Sequence, residues 1–482
     1  MTDPRQLTIV QMNDTHAYLD LHQEWFWGNG GITYRPAGGF ARIATLLGRI
    51  RAERPGAVLF ADGGDTLHGT YPAVATRGEA LVPILNTLAP AAMTAHWEFA
   101  YTPAVFRERV AQLSYPMLAI NVYDRASGER YFPPYAVREV AGLRIGLVGI
   151  ASNIVDKTMP PSYSEGVTFT DGVEELPGFI EELRGREQVD LVLLVSHLGF
   201  PQDMHLLADV RGVDVCLSSH THNRLGHAVR QGETLVIQSG CHGSFLGRLD
   251  LEVAAGRIVD YRHRLIEVEA TLPPDPEVDA QVREAAEPFA DELSAVVGET
   301  ATALDRSTAL EATMDNLLLA ALREAAGTEL AFSNGWRYGA PVVPGPITRN
   351  DLYNMTPMNP PVSTVELSGA ELTAMIEENL ERTFARDPFH QMGGFVKRAL
   401  GLRAYVRLEN PAGHRLQTLF VGDDVVRPER SYRAAYVTVQ GVPATYGRDR
   451  ANLPVRAVQA MEDYLRRRRP VRADLVGTFV VV

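Results

Sequence analysis

The chain has 482 residues, of which 45% are apolar, enough to fill two cores and more than one ordinary domain holds. Its formal charge of −13 argues against a nucleic-acid groove or an anionic membrane as the main partner. Only Cys216 and Cys241 are present, too few for a disulfide framework.

In chain order, short apolar strands alternate with helix-like segments from Leu7 to Val268. The pattern predicts strands over 7–12, 57–61, 117–121, 144–150, 190–196, 213–218 and 234–238, with a closing hairpin over 246–268. Helices are expected over 39–54, 78–88, 103–113 and 173–185, which together make a layered α/β domain. A Gly-rich insertion with Trp25, Phe26 and Trp27 reads either as a lid or as local surface packing. Pro273, Pro274 and Pro276 break the pattern, and 277–297 reads as one charged linker helix. The domains expected are therefore 1–270, a linker over 271–301, and 302–482. The last should carry helices over 313–326 and 368–384 and strands over 329–333, 402–408 and 432–439. Arg466 to Arg469 read as a solvated helix end. The start, Met-Thr-Asp-Pro-Arg-Gln, lacks a basic region followed by an apolar core, so a cytoplasmic location is expected, or a periplasmic one if a leader has been removed.

Four stretches put metal-ligand side chains where an apolar run ends: Asp14-Thr15-His16, Gly64-Asp65, Ser196-His197 and His220-Thr221-His222. Strands lying side by side would gather these carboxylates and imidazoles on one edge of a sheet. One Asp-x-His is weak evidence, because a loop aspartate often only caps a turn; four such ends in half a chain point to a metal centre. Imidazole donors suit Mn or Zn, with Fe next, better than Mg or Ca. A shared carboxylate is the usual way to hold two divalent ions, which clamp an anionic ester and activate a water. An acidic chain with such a centre suits a small anionic substrate. Cys216 reads as an inert thiol in a strand, whereas Cys241, next to His242, is a weaker site candidate.

These motifs resemble the calcineurin-like metallophosphoesterases and, within them, the two-domain 5′-nucleotidase family. The resemblance implies a four-layer αββα catalytic domain and a smaller α+β C-terminal domain joined by a linker helix. It implies Asp14, His16, Asp65 and His222 around one ion, and Asp65, His197, His220 and a residue near position 96 around the other. Ser333-Asn334-Gly335-Trp336-Arg337 looks like the family's Asn-Gly-rich segment ending in a substrate-binding arginine. Where the family pattern has Gly-Asn-His-Glu, this chain reads Ala95-His96-Trp97-Glu98. His96 then replaces the amide ligand, Trp97 the catalytic histidine, and Ala100 the aspartate that orients it. Met358 stands where nucleotidases carry a base-stacking Phe. Both departures make the chain similar to the thiosulfohydrolase branch of bacterial sulfur oxidation, as do Ile347 to Asn354 and Asp387 to Gly394.

The residues thus predict a dimetal hydrolase acting on a phosphoester, with S-sulfonate hydrolysis and a non-catalytic binding role as alternatives. Asp65, His96 and Glu98 are the catalytic candidates, Glu98 as an orienting group. Asn121, His242, Asn334, Arg337 and His390 are candidates for touching substrate. Without an acid at position 97, leaving groups that depart unaided are favoured.

Overall fold

The computed structural model describes residues 4–482. The chain divides into two compact units, one holding residues up to His22 with Pro36–Pro288, the other Gln23–Arg35 with Phe289–Val482.

In the first unit, a four-stranded sheet runs in the order Arg257–Glu267, Phe245–Ala254, Arg5–Met12, Val58–Asp62. A six-stranded sheet runs Val229–Gln231, Thr234–Ile237, Val215–Leu217, Leu191–Ser196, Leu143–Ile150, Tyr135–Val140. One core joins their inner faces: Leu7, Ile9, Leu59 and Leu249 from the first sheet pack with Ile145, Leu193, Val215 and Ile237 from the second. Leu191 to Ser196 are buried throughout, as expected for a parallel strand covered on both faces. Helices lie outside this pair. Helix Phe40–Glu53 buries Phe40, Ile43, Leu47 and Ile50, a three-four spacing that makes one apolar stripe. On the other sheet, Gly146 leaves room for Leu183 of helix Leu176–Gly185; a Cβ at Gly146 would come within 2.9 Å of that side chain. This mixed α/β layering agrees with the sequence expectation.

Strands Arg5–Met12 and Val58–Asp62 pair in parallel, as do Leu143–Ile150, Leu191–Ser196, Val215–Leu217 and Thr234–Ile237 along the second sheet. Parallel strands deliver their C-terminal ends to the same edge, where α/β sheets place their ligands.

Two elements differ from expectation. No ladder forms over 117–121; Met117 makes a single bridge to Met93, and the paired strand begins at Val122. The expected helix over 277–297 ends as an α-helix at Ala286, passes through a 3-10 turn over Glu287–Phe289, and resumes only at Ala290–Leu293. Pro288 has no N–H for the ladder and clashes with the preceding turn. Helix Pro276–Ala286 belongs to the first unit.

The second unit has a five-stranded sheet in the order Arg398–Leu400, Leu330–Ser333, Ser431–Tyr436, Pro361–Ser368, Arg448–Arg456. Helix Gly369–Phe384 begins with a capping box, Ser368 and Glu371 each bonding the other's backbone N–H. The Gly-rich insertion is a hairpin of strands His22–Gly28 and Gly31–Ala37. Most of it belongs to this unit, where Tyr34 donates a hydrogen bond to Asp305 and Arg35 lies over the Phe26 ring. Arg467 and Arg468 both pair with Glu324, the ordinary fate of a basic helix end. Among the described residues no helix is long and apolar enough to cross a membrane.

Candidate metal centre

Each motif follows a strand of the first unit, and the loops that turn there approach one another closely. A Cβ at Gly63 would lie 2.0 Å from Ser219 Oγ, and one at Gly64, where φ is 86°, would lie 2.5 Å from the Thr94 carbonyl oxygen. Only glycine lets these three loops meet. The ligand-type residues themselves stand in left-handed backbone: Asp14 (φ 51°), His16 (48°), Asp65 (55°), His220 (70°) and His222 (58°). Non-glycine residues rarely adopt that region, and clusters of them mark functional sites.

Two groups of four result. Asp65, His96, His197 and His220 form one, and Asp14, His16, Asp65 and His222 the other; within each, one donor atom per residue lies within 4.8 Å of the rest. Asp65 belongs to both. Its Oδ2 is 3.3 Å from His197 Nε2, 3.3 Å from His96 Nδ1 and 3.8 Å from His16 Nε2. Asp14 Oδ1 is 3.3 Å from His222 Nε2 and 3.6 Å from His197 Nε2. The two ring nitrogens His16 Nε2 and His222 Nε2 converge to 3.2 Å.

Backbone carbonyls orient two of the rings. His197 Nδ1 donates to the Gly63 carbonyl at 2.6 Å, and His16 Nδ1 lies 3.3 Å from the His68 carbonyl. A proton on Nδ1 leaves Nε2 as the lone-pair donor, the arrangement metal-bound histidines use. His197 Nε2 is buried and faces the carboxylates of both Asp65 and Asp14. Asp14 accepts from Asn13 Nδ2 and the His220 N–H, and Asp65 Oδ1 from the Trp97 N–H at 2.6 Å. The donor set, two carboxylates and five imidazoles around one shared oxygen, fits two borderline divalent ions.

The electrostatics agree. Burial works against charge on Asp65, yet His96 and His197 hold its carboxyl well below the usual range. Burial likewise opposes charge on His197, but Asp65 and Asp14 lift it to about 10. His16 is driven down to about 3 by burial, which outweighs the pull of Asp65. A centre that holds two carboxylates charged in a buried place calls for cations.

The other candidates sort differently. Glu98 accepts from the N–H groups of Thr66 (2.6 Å) and His96 (2.9 Å), so it ties the two ligand loops together. Asn121 is a correction to the sequence reading: its amide donates to the carbonyls of Ala151 and Thr170 and accepts from the Ala151 N–H. It is spent on backbone and holds the loop after strand Leu143–Ile150. His242 is brought beside the Asp14 group, its ring centroid 6.4 Å from those of His16 and His222. Cys241 is buried and its thiol faces His222. Asn334, Arg337 and His390 lie in the second unit. There Arg337 Nη2 donates to the Gly394 carbonyl at 2.8 Å and its guanidinium lies over Phe395, while His390 is exposed near Asp387.

One residue escaped the sequence reading. His68, three positions beyond Asp65, is fully buried and stacks on Trp97, with centroids 5.2 Å apart and planes 19° from parallel. Its only signal was its place just after the Gly-Gly-Asp block.

Comparison with known proteins gives consistent results. Residues 295–439 match the family model of the 5′-nucleotidase C-terminal domain. Among curated relatives, the trifunctional nucleotide phosphoesterase YfkN of Bacillus subtilis is 24% identical over 89% of this chain, which spans 31% of that protein's length. Among solved structures, the sulfate thiohydrolase SoxB of Thermus thermophilus superposes with a TM-score of 0.93 at 27% identity, covering 99% of this chain and 96% of that one. A 5′-nucleotidase precursor, also from Thermus thermophilus, superposes at 0.85 with 26% identity, covering 99% of both chains. The chain therefore shares the two-domain fold of these two solved structures and carries a match to the 5′-nucleotidase C-terminal domain, with hydrolases among its named relatives.

Proposed function

We propose that the protein is a dimetal-dependent hydrolase of small anionic esters, with phosphoesters as the leading substrate class. The observation that carries this reading is the pair of four-residue groups sharing Asp65. Asp14, His16, Asp65 and His222 would hold one ion and Asp65, His96, His197 and His220 the other, with Mn or Zn the best match to the imidazole donors. Bound ions supply Lewis acidity and an activated water. The chain's own residues then do the rest. Asp65 would serve both ions, while Glu98 fixes the His96 loop relative to the Thr66 loop and the carbonyls of Gly63 and His68 fix the rings of His197 and His16. Catalysis is assigned to residues 1–270, substrate binding to 302–482 with Arg337 as the anion-gripping fork, and the connection to 271–301.

A second reading, hydrolysis of S-sulfonates, has its own support. Trp97 and Ala100 stand where the resemblance expects an acid and its partner, and an indole N–H does not transfer a proton at ordinary pH. A thiolate leaves without such help, since its conjugate acid has a pKa near ~8.5. The likeness to the sulfate thiohydrolase points the same way.

The deciding experiment loads the protein with Mn or Zn and assays AMP, aryl phosphates, pyrophosphate and S-sulfocysteine side by side. Turnover of phosphate esters supports the leading reading, and turnover confined to S-sulfocysteine the second. No turnover with two ions bound would leave a binding protein that kept the fold.

A further inference from the structure

Gln238 directly follows strand Thr234–Ile237 and is fully buried, so it meets the site through what it holds and touches no substrate. What it holds is the turn from Ser218 to Asn223. That turn carries His220 of one ligand group and His222 of the other.

The bonds of this carboxamide follow the turn from end to end. Nε2 donates to Ser218 Oγ at 3.0 Å and to the Ser219 carbonyl at 2.6 Å, just before His220. Oε1 accepts from the Thr221 hydroxyl at 3.1 Å, between the two histidines, and from the Asn223 N–H, just after His222. Two donors and two acceptor sites are the whole capacity of an amide side chain, and all four are spent on one turn. A carbonyl on one side and an N–H on the other dictate which way the amide points.

The backbone here is unusual enough to require such a hold. His220 and His222 stand at φ 70° and 58°, a region that non-glycine residues rarely adopt. Main-chain bonds extend the grip: the Leu225 N–H donates to the Gln238 carbonyl at 3.2 Å, and the Gly240 N–H to the Asn223 carbonyl at 2.9 Å. The Thr221 hydroxyl also accepts from the Phe200 N–H at 3.0 Å, which carries the same network to the segment after His197. Three adjacent parallel strands, ending at Ser196, Leu217 and Ile237, are thus tied together just beyond their C-terminal ends.

We propose that Gln238 is a positioning residue of the metal centre, its carboxamide setting His220 and His222 together so that the affinities of both ions, and their separation, depend on one amide. This rests on the dimetal reading given above. Loss of a single ligand such as His96 would act on one group; displacing this amide moves a ligand of each.

The test uses the full chain with Mn as the probe. Gln238→Met keeps the size of the side chain and removes all four bonds. Gln11→Met is the control: Gln11 is equally buried, donates to the Ser218 carbonyl at 2.7 Å and accepts from Ser239 Oγ, and bonds nothing from Ser219 to Asn223 among the described residues. Competition against a chelator gives the affinity of each ion, and electron paramagnetic resonance at full occupancy gives the magnetic coupling between them. Gln238→Met should bind both ions about 10–100-fold more weakly and show an altered coupling once both are bound. Gln11→Met should keep wild-type affinities and coupling, whatever it loses in melting temperature. Should Gln238→Met fail to fold, Gln238→Glu, which keeps the shape and loses both donors, is expected to give the same two readings. Unchanged affinities, a loss confined to one ion, an unchanged coupling at full occupancy, or the same changes in Gln11→Met would each overturn the assignment and leave the hydrolase reading standing. A wild type that binds two ions as described yet turns over no ester or S-sulfonate keeps the assignment and defeats that reading. A wild type that binds fewer than two ions defeats both.

Discussion

The backbone N–H of Trp97 donates to Asp65 Oδ1 at 2.6 Å, while Asp65 Oδ2 faces His96 and His197. The residue whose side chain departs from the expected acid thus still holds the central carboxylate, through its main chain. Chemistry and scaffold are separable at this position.

Asp65 is the shared member of both groups. Asp65→Ala is expected to remove most bound metal and abolish hydrolysis, as read by elemental analysis of the purified variant and by assay. Two equivalents of metal in that variant would show that the groups are not joined through this carboxylate.

His96 belongs to only one group. His96→Ala should therefore lose one equivalent of metal and keep the ion held by Asp14, His16 and His222. The stoichiometry after dialysis against limiting metal checks this, and double occupancy at wild-type affinity would exclude His96 as a ligand.

Glu98 bridges the backbone of Thr66 and His96. Removing such an orienting partner costs about 10–100-fold in metal affinity. Glu98→Gln keeps the shape and weakens the acceptor, so competition against a chelator should show a loss in that range.

With no acid supplied by Trp97, turnover should depend steeply on leaving-group pKa, aryl phosphates with acidic phenols outpacing AMP by orders of magnitude. General acid help is typically worth ~10²–10⁴-fold, and its absence falls on the poorest leaving groups. A flat free-energy plot across a series of esters would reveal an acid elsewhere.

Lys397 offers a stability test away from the metals. Burial lowers its pKa from 10.5 to about 7, and its Nζ donates to the carbonyls of Gln440 (2.6 Å) and Gly441 (2.8 Å). The folded state prefers the neutral amine, so this group's contribution is fully present above pH 10.5 and is lost as pH falls through 7. Relative to Lys397→Met, wild type should gain on the order of 4 kcal/mol between these limits. Urea midpoints at pH 7, 8.5 and 10 measure it; parallel pH profiles would refute it.

The centre was legible because each motif is contiguous with the strand that delivers it: Asp14 and His16 two and four residues past Met12, His197 directly after Ser196. What escaped depends on distant partners. The hairpin's place in the second unit turns on contacts such as that of Tyr34 with Asp305, 271 residues away. Asn121 is consumed by carbonyls 30 and 49 residues on, and no local pattern announces that. His68 stands out only by the ring it meets in space. Pro288, by contrast, was visible all along, and its effect on the linker helix follows from its missing N–H alone.

Five ligand-type residues stand at positive φ, and their loops are pinned together at Gly63 and Gly64. Where each side chain sprouts is therefore decided by torsions and close approaches, and the side chain's own chemistry has little say in it. Such a frame tolerates editing. An imidazole can stand for an amide at position 96, or an indole for an imidazole at 97, without the neighbouring loops having to be rebuilt. A combinatorial library confined to positions 96, 97 and 100 would vary what the site does to a departing group, whereas one at 63 and 64 would dismantle the place where it happens.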